Sequence, residues 1–78
     1  MSKPMLELLN CTNVLLDEIA DRQIPRDSIA KTYAMAIMSS EPPDWKRVNA
    51  AIIERWSHAG LNYIKVQAWR IVENPKRI

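Results

Sequence analysis

Few side chains in this sequence belong to the types that carry out enzymatic chemistry. His58 is the only histidine and Cys11 the only cysteine. Ser57 precedes His58 directly, and adjacent positions of a helix point apart, so the two cannot pair as nucleophile and base. Cys11 has no base nearby in its own helix. We interpret His58 as an exposed histidine near a helix end and Cys11 as a half-buried apolar side chain, and we predict that the protein is not an enzyme.

Metal and cofactor sites are also not indicated. One cysteine and one histidine fall short of the four or so ligands that a structural zinc ion needs. Asp17 and Asp21 lie one helical turn apart, but Glu18 and Arg22 beside them are typical of a solvated acidic face. The single glycine excludes a glycine-rich phosphate loop. The sequence therefore predicts no metal and no cofactor.

The polar residues of the C-terminal half suit nucleic acid better than catalysis. Residues 52–72 have the outline of a helix-turn-helix, in which one helix ends at Gly60 and a second begins at Leu61. The outward side of this second helix would present side chains of the types that bind base edges, which are Asn62, Tyr63, Lys65, Gln67 and Arg70. Phosphate contacts would come from Lys46, Arg47, Lys76 and Arg77.

The charge distribution agrees with this interpretation. Residues 1–40 contain four Lys and Arg against five Asp and Glu, whereas residues 41–78 contain seven against four. The isoelectric point of about 8.9 is mildly basic, which permits nucleic-acid binding without requiring it. Our leading prediction is a small, non-enzymatic DNA-binding or regulatory protein.

Two apolar residues on the same predicted helix favour a different partner. At about 100° per residue, Val66 points away from the stripe that contains Ile64 and Ala68, and Trp69 lies at its flank. Such residues are frequent in protein–protein interfaces, and the aromatic ones also form platforms on which bases of nucleic acid stack. The alternative function is a protein-interaction module, either a homodimer or an inhibitor or adaptor of a larger complex, with Tyr63, Val66 and Trp69 at the interface.

The position of Trp69 separates these interpretations. A Trp69 buried against the first helix would leave a polar surface and favour nucleic acid. A Trp69 exposed beside Val66 would favour a protein partner. A third interpretation makes the whole helix central, with Trp69 part of the core and no surface left for binding.

Hydrophobic periodicity predicts an all-α domain of about four short helices over residues 1–78, because no segment alternates with the period of a strand. The predicted helices cover residues 4–22, 25 or 27–38, 44–59 and 61–73. Pro42 and Pro43 interrupt the chain, Asp44 is expected to cap the third helix, and Gly60 is expected to close it in the left-handed conformation.

The helical stripes also predict the core. It comprises Leu8, Leu15, Ile19, Ile29, Tyr33, Ile37, Trp45, Val48, Ile52, Trp56, Ile64 and Ala68. Met35 and Met38 are one turn apart, a spacing that suits either an adaptable binding surface or gap-filling in the core, and of these we expect the core. No uncharged run approaches the roughly 20 residues that span a bilayer, so we expect a cytoplasmic protein without a membrane anchor.

Overall fold

Three helices and their connections make up residues 11–74, which are the residues described by the computed structural model. They are α1 (Cys11–Ala20), α2 (Arg26–Ile37) and α3 (Trp45–Glu73), and this part of the chain contains no strand. The all-α prediction is confirmed. The predicted helical residues 4–10 with Leu8, and the tail residues Lys76 and Arg77, lie outside the described range.

The helix ends follow from local chemistry. Pro25 precedes α2 in an extended conformation (φ −77°, ψ 164°). The carboxylate of Asp44 caps α3 by accepting a hydrogen bond from the Arg47 N–H at 3.3 Å, as predicted. The helix α1 ends two residues earlier than predicted, because the Asp21 side chain accepts from the Gln23 N–H at 3.0 Å and stabilises a turn.

The predicted third and fourth helices form one element, α3, which is sharply bent. Ser57 has φ 71° and ψ 178° within an otherwise helical segment, and Gly60 does not have a positive φ. The expected left-handed closure at Gly60 is therefore wrong, and neither four helices nor a helix-turn-helix is confirmed. Gly60 serves a different purpose, because a Cβ atom at this position would overlap the Cβ of Trp56.

The bend places both halves of α3 beside α2. In the first half, the Trp45 ring packs 4.7 Å from the ring of Tyr33 in α2. In the second half, the Tyr63 hydroxyl donates a hydrogen bond of 2.6 Å to Asp27 near the start of α2. The chain direction of the second half is thereby reversed relative to the first, and the two halves enclose one side of α2.

The core lies where α1, α2 and both halves of α3 meet. The predicted residues Leu15, Ile19, Ile29, Tyr33, Val48, Ile52, Ile64 and Ala68 are buried, together with Cys11, Ala30, Ala34 and Ala36. The predicted residues Ile37, Trp45 and Trp56 are only partly buried and pack against this cluster. The small alanines of α2 let the two neighbouring helices approach it closely.

Met35 and Met38 are not core residues, contrary to prediction. Their exposed fractions are 56% and 49%, respectively. They lie on the outer side of α2, because the stripe that includes Ile29 and Tyr33 already faces α1 and α3. The sequence pattern identified these residues as apolar but did not show which side of α2 would be covered.

Candidate functional site

A groove of about 400 Å³ opens between α2 and the two halves of α3. The first half of α3 contributes Trp45 and Asn49 to its walls, and the second half contributes Lys65 and Trp69. In a straight helix, Asn49 and Lys65 would be about 24 Å apart along the axis. The bend at Ser57 therefore creates the groove by bringing these residues together. Helix α2 and the loop before α3 complete the lining with Tyr33, Ala36, Ile37 and Pro42.

The floor of the groove is held by hydrogen bonding and ring packing. The Tyr33 hydroxyl donates to the Asn49 Oδ1 atom at 2.8 Å. Burial raises the pKa of Tyr33 above 10.0, and the hydrogen bond to Asn49 opposes this shift. The phenol therefore keeps its proton at neutral pH, and its contact with Oδ1 leaves the Asn49 amide N–H groups directed elsewhere.

The polar groups of the lining are mainly hydrogen-bond donors. Among the lining residues, Lys65 carries an ammonium group, Asn49 an amide with two N–H groups, and Trp45 and Trp69 one indole N–H group each. Among the described residues that line the groove there is one cation and no carboxylate. An apolar ligand group that carries a negative charge or an acceptor would fit this lining best.

Trp69 lies at the surface, with an exposed fraction of 48%. Val66, one turn before it, is 42% exposed. Of the three arrangements that the sequence left open, the structure has the one with both residues exposed, and the two that bury Trp69 are excluded. Trp69 forms part of the groove, whereas Val66 does not line it.

Tyr63 joins the second half of α3 to the start of α2. Besides its hydrogen bond to Asp27, its ring packs against the Arg26 guanidinium at 4.6 Å. The hydrogen bond to Asp27 is the main cause that raises the pKa of Tyr63 above 10.0; desolvation and the negative charge of Asp27 also raise it, and the charge of Arg26 lowers it. Tyr63 is thus engaged by its own chain, although part of its ring is exposed.

The polar residues predicted for DNA contact on the second half of α3 do not all lie on one side of the helix. At about 100° per residue, Asn62, Lys65 and Arg70 share an exposed side, whereas Tyr63 and Gln67 each lie about 160° from Lys65. Lys65 borders the groove, whereas Tyr63 faces α2. Asn62 and Arg70 are exposed, Gln67 is half-buried, and Lys46 and Arg47 are exposed at the start of α3. Within residues 11–74, neither Lys65 nor Arg70 forms a side-chain hydrogen bond or ion pair.

A second depression, of about 330 Å³, lies between α1 and the first half of α3. Its wall contains Arg55, whose guanidinium donates to the carbonyl oxygens of Ile19 at 2.7 Å, Asp21 at 3.2 Å and Ile24 at 3.4 Å. The same guanidinium packs over the Trp56 ring at 4.1 Å. Carbonyls at a helix end lack partners within the helix, so Arg55 has a structural role here.

Sequence reasoning missed several groove residues. Asn49, Ile37 and Pro42 were not assigned to a site, and Trp45 was assigned to the core alone. The spacing of Trp45 and Asn49, one helical turn apart, places them on one face of α3. Nothing in the sequence indicates that this face would lie opposite Lys65 and Trp69, because that depends on the bend.

Other classes of site receive no support from the geometry of residues 11–74. In this range no group of three or more His, Cys, Asp or Glu side chains is arranged to hold a metal ion. The helices of the same range also lack a segment with the length and hydropathy needed to cross a membrane.

Comparison with known proteins gives no further assignment. No protein-family model matches the sequence, and neither curated proteins nor solved structures give a significant match. Function must therefore be inferred from the residues of the groove and the surface around it.

Proposed function

We propose that this protein is a non-enzymatic interaction module whose groove binds a segment of a partner protein. The segment carries an apolar side chain next to a carboxylate. The observation on which the proposal depends is the position of Trp69, which is 48% exposed and borders a groove with Lys65 and no acidic residue among the described lining.

The apolar part of the ligand is indicated by the aromatic walls. Trp45 and Trp69 flank the groove, and Ile37 and Pro42 extend its apolar surface. Tryptophan is enriched among the residues that dominate binding energy in protein interfaces, because one side chain buries a large area with few rotatable bonds. A volume of about 400 Å³ accommodates a few side chains of a partner.

The acidic part of the ligand is indicated by charge complementarity. Lys65 forms no ion pair within the described residues, and the Asn49 amide N–H groups are not used by Tyr33. A carboxylate beside an apolar anchor would pair with Lys65 in a partly desolvated setting, where such hydrogen bonds are stronger than in water. A basic ligand would meet an unpaired cation and bind less well.

The test is selection of random peptides displayed on phage, with the full-length protein immobilised. We expect the enriched peptides to combine an aromatic or leucine residue with Asp or Glu. Their affinity should fall about tenfold or more in Trp69→Ala, which removes a groove wall, and in Lys65→Glu, which reverses its charge.

Matched controls are Met35→Ala and Lys31→Glu, since both residues are exposed on α2 and neither lines the groove. These variants should bind the selected peptides like the wild type. The proposal is overturned if no peptide is enriched, if the enriched peptides are basic, or if Trp69→Ala binds them normally. Salt-sensitive binding of duplex DNA that Arg70→Ala weakens, without peptide enrichment, would replace it with the DNA-binding function.

A further inference from the structure

The bend in α3 contains a residue in an unfavourable backbone conformation. Ser57 has φ 71° and ψ 178°, a region that is essentially restricted to glycine because a Cβ atom is crowded there. The rest of α3 on both sides of Ser57 is helical. A straight α3 would place Ser57 in the ordinary helical region and remove this strain.

A second observation concerns Gly60 and points to the same conformational change. A Cβ atom on Gly60 would overlap the Trp56 Cβ and lie 3.2 Å from its Cγ. In a straight helix the Cβ atoms of residues four apart are about 5–6 Å from each other. The bent form of α3 is therefore compatible only with glycine at position 60, whereas the straight form accepts a larger residue.

Straightening has a consequence for the core. Ile64 and Ala68, both completely buried, pack in one cluster with Ile52 of the first half of α3. In a straight helix Ile52 and Ile64 would be about 18 Å apart, so the second half would leave the core of its own chain. The apolar surface exposed in this way is complementary to the second half of α3 in another copy of this protein, because that segment covers the same surface in the monomer.

We propose that two copies of this chain form a dimer by straightening α3 at Ser57 and exchanging its second half. Each copy then rebuilds the core of the other with the contacts already present in the monomer, and only the bend changes. Two strained serines are released per dimer, which favours association. The inference is independent of the proposed partner groove, whose residues would come together again from two chains.

The test compares hinge variants by size-exclusion chromatography with light scattering over a series of protein concentrations. Ser57→Gly relieves the strain in the bent form and weakens a straight helix, so the monomer–dimer Kd should rise about 30-fold or more. Gly60→Ala should do the opposite and yield a folded dimer, because the bent monomer cannot accommodate the new Cβ.

A distance measurement distinguishes exchange from an ordinary surface dimer. Spin labels on Lys46→Cys and Arg70→Cys, in a Cys11→Ala background and diluted with unlabelled chain, report the separation of the two ends of α3. A straight helix predicts about 36 Å between these positions in the dimer. The monomer predicts a much shorter separation, because their neighbours Trp45 and Trp69 line one groove.

Two results would overturn the proposal. The first is that Ser57→Gly and Ser57→Ala both have the same monomer–dimer Kd as the wild type, or that the wild type and both variants are monomers at every concentration. The other is a dimer in which the separation of the labels is that of the monomer. If Gly60→Ala fails to fold, Ser57→Ala decides the question, since alanine favours the straight helix and should lower the Kd.

Discussion

Gly60 packs directly against Trp56, its neighbour four residues earlier, with no room for a side chain between them. This contact exists because Ser57 turns the chain of α3 by means of a positive φ. The glycine and the serine thus have different parts in one bend: the serine changes the direction of the chain, and the glycine provides the space. The groove depends on both residues, because its two walls belong to the two halves of α3.

Replacement of Ser57 by glycine should stabilise the monomer. The positive φ of a residue with a Cβ atom is unfavourable by about 1–3 kcal/mol, and the added flexibility of glycine in the unfolded chain offsets part of the gain. We expect a net increase of about 1 kcal/mol in the free energy of unfolding, measured by urea denaturation at low protein concentration.

Ser28→Gly is the matched control, because Ser28 lies within the regular helix α2. There the same substitution should lower the free energy of unfolding by about 0.5 kcal/mol. Equal destabilisation by both substitutions would show that Ser57 is not strained in solution.

Loss of the Arg55 side chain should destabilise the fold substantially. Its guanidinium donates to three carbonyl oxygens at and after the end of α1 and packs on Trp56. Hydrogen bonds from a charged group contribute about 1.5–3 kcal/mol, and they are not additive, so Arg55→Ala should lower the free energy of unfolding by about 2–3 kcal/mol.

Arg47→Ala removes the same charge from an exposed position of the same helix, where only the backbone N–H is engaged. Thermal unfolding followed by circular dichroism should show little change for this control. Arg55→Lys should fall between the two, because an ammonium group cannot reproduce the planar fork of the guanidinium. A small effect of Arg55→Ala would indicate that water replaces these contacts without loss.

The helices and their limits were largely predictable because they depend on local signals. Pro25 and Asp44 mark the starts of α2 and α3, and the apolar stripes of α1 and α2 identify the buried faces. The location of the bend was not predictable. Glycine is the residue most often found with a positive φ, so Gly60 was the obvious choice, yet the structure uses it for close packing and places the unusual φ at Ser57.

The groove was predictable only in part. Trp69 was recognised as a residue whose exposure would decide between two functions, and its chemistry and that of Lys65 are evident from the sequence. Their proximity to Trp45 and Asn49 is a tertiary property that follows from the bend, and periodicity within each half of α3 does not contain it. Prediction from sequence failed at Met35 and Met38 for a similar reason, since hydrophobicity alone does not tell which side of a helix is covered by its neighbours.

Alkaline conditions should weaken the fold through its tyrosines. The pKa values of Tyr33 and Tyr63 are raised in the folded state, the first mainly by burial and the second mainly by the hydrogen bond to Asp27. A raised pKa means that the folded state holds these protons more tightly than the unfolded state. The stabilisation is therefore complete below the unfolded value of 10.0 and declines as the pH rises through the folded values.

Urea denaturation at a series of pH values from neutral to alkaline measures this effect. The free energy of unfolding should decrease above pH 10.0 in the wild type and decrease less steeply in Tyr63→Phe, which lacks the ionisable hydroxyl. Identical slopes in the two proteins would mean that the hydrogen bond between Tyr63 and Asp27 does not persist in solution.

In the second half of α3, Ile64 should be important for folding, whereas Trp69 should be important for binding. Ile64 is completely buried, so Ile64→Ala should lower the free energy of unfolding by about 2–5 kcal/mol, a large part of the total for a domain of this size. Trp69 is 48% exposed, so it buries only about half of its roughly 250 Å² and should contribute less, about 2–3 kcal/mol at most by area. Chemical denaturation of the two variants under identical conditions measures the difference. If Trp69→Ala were as destabilising as Ile64→Ala, the indole would be part of the core in solution, and the groove would have no wall with which to hold a partner.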